Sequence, residues 1–135
     1  MTEAANPFAL SDRMLALRER VRGFVEREAI PRERAALAHD VQALDAVMAE
    51  LRPLARAAGI YAPQLPVELG GLGLNWRERA VVLEEAGRSF LAPGAMNCAP
   101  PDQPNMINLV QHGTPAQQAR YLEPLVRGDI RSCFA

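Results

Sequence analysis

The chain has 135 residues, 49% of them hydrophobic, and a net charge of −1. That is the length of one domain, able to bury roughly 67–70% of its unfolded surface, and the near-neutral charge leaves no basic face to attract nucleic acid or an anionic membrane. No apolar run nears the ~18–20 residues of a membrane span, and Met1 to Pro7 lack a charged-then-apolar signal pattern, so the expected compartment is the cytoplasm.

Ser11 is the predicted cap of a first helix over about residues 11–28, with Met14, Leu17, Val21, Phe24 and Val25 on one apolar stripe and Pro31 as its stop. Asp40 is expected to cap a second helix over about residues 41–58. Leu44, Val47, Met48, Leu51, Leu54 and Ala55 face inward, and Pro53 should kink or break the helix near Arg52. Residues 59–75 read as one long irregular segment, beyond the ~12–15 residues at which loops are usually functional. Asn75 and Glu78 form a capping box for a helix over about residues 76–88, with Ala80, Val81, Val82, Leu83 and Ala86 on its apolar side. A proline-punctuated stretch from Leu91 to Gln103 follows, and Pro104 opens a helix over about residues 104–112 that carries Met106, Ile107, Leu109 and Val110. Thr114, Pro115 and Gln117 then give a second capping box for a helix over about residues 115–126, and residues 131–135 are expected to be extended.

Aromatic residues make up only 5%, so Leu, Val, Ala and Met must build the core. All fifteen basic residues are Arg, which reads as the compositional bias of a GC-rich bacterial genome. Cys98 and Cys133 have no Cys-x-x-Cys partner, which argues against zinc and against a disulfide framework, and both thiols are expected to be buried. His39 and His112 lack ligand partners at metal spacing, so no metal site is expected. The glycines of Pro66-x-Glu68-x-Gly70-Gly71-x-Gly73 lack the Lys-Ser/Thr of a phosphate loop and follow no strand. Tight backbone packing explains them better. Glu84 and Glu85 point about 100° apart on a helix and do not share one site. A solvated face or a salt bridge to Arg88 is the expected role of that pair.

The order from Gly113 to Ala135 strongly resembles the acyl-CoA dehydrogenase family where the chain leaves its N-terminal helical domain. Phe134 and Ala135 match the first two residues of a flavin-facing strand that reads Phe/Tyr-Ala-x-Thr-Glu-Pro in that family. The glycine loop and the Glu84-Glu85 pair match too, as do Asn97, Cys98, Pro101, Asp102, Asn105 and Met106 of the connector. The resemblance implies an all-α, multi-helix bundle over 1–130, with 131–135 beginning a β domain. It implies FAD as cofactor and acyl-CoA as substrate, oxidised to the trans-2-enoyl thioester. An electron-transfer flavoprotein or similar acceptor and a homo-oligomeric assembly come with it.

Carried over by position, Phe134 and Ala135 would face the cofactor, and Met96, Asn97, Pro100, Pro101 and Pro104 would line the acyl end of the pocket. No catalytic residue is expected in this segment, since the family's carboxylate base lies further along. Two other readings stay open on the sequence: a non-catalytic helical interaction module, and a family relative with oxidase or monooxygenase chemistry.

Overall fold

The structure is a computed structural model that describes residues 9–37 and 41–135, with the side chain of Val41 outside the description. The expected cap Asp40 and His39 lie outside the described residues. Among those described, every regular element is helical and no strand forms.

Helix α1 (Asp12–Phe24) begins where Ser11 Oγ accepts the Met14 N–H. Its stripe of Met14, Leu17, Val21 and Phe24 is buried against α4. Pro31 does not end this run. The helix passes through a π-helical turn, Val25–Ala29, and continues as α2 (Ile30–Ala36) with Pro31 in its first turn. In the π turn the Ile30 N–H reaches back to the Val25 carbonyl. The ladder is thus shifted by one residue where proline has no N–H to give, and the ring's clash with the preceding turn is relieved. The Arg32 guanidinium donates to the Glu28 carbonyl at 2.9 Å just beyond.

The same device recurs near the C-terminal end. Helix α7 (Pro115–Gln117), capped by the Thr114/Gln117 box, passes through the π segment Gln118–Leu122 into α8 (Glu123–Arg127), with Pro124 in its first turn. The remaining helices are α3 (Val41–Ala57), α4 (Trp76–Ala86), α5 (Ala92–Ala95) and α6 (Asp102–His112). Helix α3 runs through Pro53 without the break that was one of the two outcomes expected there. Pro53 and Ala49 lie on its exposed side, where water can satisfy the carbonyl that the proline leaves free.

The core joins the stripes of α1 and α3 to Ile60, Ala62, Leu65 and Leu74 of the long segment and to Leu91, Met96, Met106, Leu122 and Leu125. The glycines of that segment are structural. A Cβ on Gly71 would sit 2.1 Å from the Leu65 carbonyl oxygen, and Gly70 has φ +79°, which favours glycine. Residues 131–135 carry no strand among the described residues, because a strand needs a neighbour to pair with.

Candidate functional site

The connector Met96–Met106 is anchored from beneath. Met96 is fully buried, and its carbonyl accepts the Ala62 N–H at 2.8 Å. Asn97 adopts φ +54°, a region that asparagine tolerates better than most residues. Its Nδ2 donates to the carbonyls of Leu125 (3.0 Å) and Val126 (3.3 Å), while its own carbonyl accepts from Gln64 Nε2 at 2.9 Å. One asparagine therefore ties the connector to the long segment and to α8. Met96 and Asn97, read from the sequence as pocket wall, are buried inside this domain. Pro100 is exposed, and Pro101 and Pro104 are half-buried at the start of α6.

Two other residues of the connector line a cavity with its neighbours. Cys98 and Gln103 join Gln64 and the α4 residues Trp76, Ala80 and Leu83 around about 160 Å³ of largely apolar space. Gln64 is buried, and its Oε1 has no hydrogen-bond partner among the described residues. Burial pushes the Cys98 thiol up to about 12, so it stays protonated and acts as an apolar surface. Trp76 and Leu83 are exposed at the rim. The α4 pattern puts Leu83 on the apolar side; it is 40% exposed and lines this cavity.

A second hollow of about 490 Å³ lies between α6, the π segment and the chain's last residues, with Asn105, Leu109, His112, Tyr121, Ser132 and Cys133 among its walls. Cys133 is exposed, which corrects the expectation that both thiols are buried. Phe134 is 69% exposed and Ala135 is also exposed.

Asp102, matched in the connector but given no role from the sequence, makes the most concentrated set of contacts there. It opens α6, where the helix dipole favours a carboxylate, and it is almost fully buried. Its Oδ1 accepts the Ser132 N–H (2.6 Å) and the Ser132 hydroxyl (2.7 Å), and its Oδ2 accepts Arg131 Nε (2.6 Å). The Ser132 hydroxyl in turn accepts from Asn105 Nδ2 at 2.9 Å. Burial alone would raise the carboxyl's pKa, but the hydrogen bonds from Ser132 and Arg131 outweigh it and hold it below the usual range.

The Glu84-Glu85 pair splits in two. Glu84 is exposed, whereas Glu85 is buried and bridges helices: Arg22 of α1 donates to it through Nη2 and Nε, and Arg88 donates at 3.2 Å. The Arg22 hydrogen bond, helped by Arg88, lowers the Glu85 pKa against the effect of burial. The Arg88 bridge was legible in the sequence; the Arg22 partner, 63 residues away, was not.

The family described as acyl-CoA dehydrogenase, N-terminal domain, matches residues 11–129. Mouse acyl-CoA dehydrogenase family member 10 is 36% identical over 96% of the chain, and (R)-benzylsuccinyl-CoA dehydrogenase of Thauera aromatica is 29% identical over 94%. A solved structure of an acyl-CoA dehydrogenase family protein from Mycobacterium abscessus superposes on 91% of the chain with a TM-score of 0.82 and 40% identity. The chain belongs to the acyl-CoA dehydrogenase family and has the fold of its N-terminal helical domain. It spans 13% and 34% of those two curated relatives and 33% of the solved chain.

Proposed function

We propose that the protein carrying this chain is a flavin-dependent acyl-CoA dehydrogenase that converts acyl-CoA to trans-2-enoyl-CoA, and that this domain supplies one wall of its acyl pocket. The observation that carries the reading is the 160 Å³ cavity behind the connector, walled by Cys98, Gln103 and Leu83. An apolar cavity of about 150 Å³ accommodates a benzene-sized group, so this one suits the end of an acyl chain. In this reading exposed Pro100 and half-buried Pro101 and Pro104 would extend that wall, with Met96 and Asn97 buried in the same connector.

FAD is the proposed cofactor, and when bound it supplies the hydride acceptor. This chain's contribution fits that role modestly: Phe134 presents an exposed ring and Ala135 a small side chain at the start of the proposed β domain, 131–135. A carboxylate base elsewhere in the protein, an electron-transfer flavoprotein or similar acceptor, a homo-oligomeric assembly and a cytoplasmic setting complete the reading. Among the described residues, no helix is long and apolar enough to cross a membrane.

The test is anaerobic mixing of the complete protein with acyl-CoAs of graded length, following flavin absorbance and product mass. Bleaching with formation of the enoyl thioester supports the reading. A flavin that no acyl-CoA bleaches, or a protein that takes up no flavin, refutes it.

A further inference from the structure

We propose that Asp102 is a positioning residue that fixes the flavin-facing residues Phe134 and Ala135 relative to the acyl wall. The inference rests on the function proposed above and assigns Asp102 a task within it. Three donors from consecutive residues, Arg131 Nε, the Ser132 N–H and the Ser132 hydroxyl, converge on this one buried carboxylate at 2.6–2.7 Å. A carboxylate that only capped α6 would be satisfied by that helix's own N–H groups. Asp102 instead directs both oxygens to a segment about thirty residues further along the chain.

Asn105, one turn along α6, orients the same hydroxyl by donating to it, so the Ser132 proton points at Asp102. Charge-assisted hydrogen bonds are short and directional, and three on one group define both a position and an orientation. Asp102 lies between Pro101 and Pro104, whose fixed φ angles stiffen the carboxylate's own support. The carboxylate therefore connects the two halves of the proposed site. On one side is the proline connector that would touch the acyl chain, and on the other are Phe134 and Ala135, two residues past the serine it holds. Without it, the segment after Ile130 would keep only the bond from Asn105 to Ser132 among the hydrogen bonds that hold it to α6.

The experiment compares wild type, Asp102→Ala and Asp102→Glu in the flavin-loaded complete protein. It reads amide exchange at Ser132, the flavin absorbance envelope, and kcat against KM. In Asp102→Ala, exchange at Ser132 should quicken by about tenfold or more, the factor carried by the loss of one charge-assisted hydrogen bond. The flavin envelope should shift and kcat should fall, with KM nearly unchanged and amide protection in α1 and α4 intact. Asp102→Glu should restore part of the kcat.

Unchanged exchange at Ser132 overturns the proposal, as does a freed segment with an unaltered flavin spectrum and kcat. Loss of protection throughout α1 and α4 also overturns it, because Asp102 would then be a general stabiliser. A wild-type protein that takes up no flavin fails the functional reading itself and the proposal with it. Wild type that bleaches normally while Asp102→Ala changes nothing fails the proposal alone.

Discussion

Replacing Glu85 with Gln removes the charge that joins α1 to α4 while keeping the side chain's shape. The carboxylate's side chain is 8% exposed, whereas those of Arg22 and Arg88 are 36% and 43% exposed. The two guanidiniums can rehydrate once the carboxylate is gone, so the ~3–5 kcal/mol cost of orphaning a buried charge does not apply in full. The loss of charge-assisted hydrogen bonds to a buried acceptor sets the scale at about 2 kcal/mol. For a domain of this size that lowers Tm by roughly 6–8 °C.

The pH dependence has a definite sign. Arg22 lowers the Glu85 pKa in the folded state, so the stabilisation is fully present above the unfolded carboxyl's pKa of about 4.3. It disappears as pH falls through the lower folded value. Urea unfolding of both proteins at pH 7, 5, 4 and 3 should show a gap that is constant at the two higher values and narrows below them. A gap under about 0.5 kcal/mol at pH 7, within the range of ordinary surface substitutions, would refute the reasoning, as would one that persists undiminished at pH 3.

Two further outcomes follow from the packing. Gly71→Ala, whose Cβ would lie 2.1 Å from the Leu65 carbonyl oxygen, should destabilise by about 3 kcal/mol or more, while Ala at exposed Gly87 should cost far less; thermal unfolding separates the two. Cys133 should react with a thiol reagent at once and Cys98, buried with its pKa pushed up to about 12, only on unfolding; single-cysteine variants assign each rate.

What the sequence discloses here is what local chemistry determines. Both capping boxes, at Asn75/Glu78 and Thr114/Gln117, form as read because cap and partner are three residues apart. The buried stripe of α1 follows from spacing alone. Pro31 misleads because proline's effect depends on what surrounds it: a π turn absorbs it, and at Pro53 the exposed face lets α3 continue without a break.

At the site, the connector was legible as a unit, but not which of its side chains face outward. Met96 and Asn97 are drawn inward by contacts with Ala62, Leu125 and Val126, all distant in sequence. Cys98, Gln103 and Leu83 become a wall only once α4 and the connector lie side by side. Asp102 matched the family's connector, but its role was not legible, since its three donors lie about thirty residues away.

The most direct test of the acyl-wall account is to fill the cavity and read chain-length preference. Leu83→Trp and Gln103→Trp place bulk in the 160 Å³ space from exposed and half-buried positions, where the fold tolerates it. One methylene in such a pocket is worth roughly 1–3 kcal/mol, so kcat/KM across an acyl-CoA series should fall for the longer or bulkier substrates and hold for the short ones, with flavin content normal. A length profile identical to wild type in both variants, with full flavin, would show that this cavity takes no part of the acyl chain.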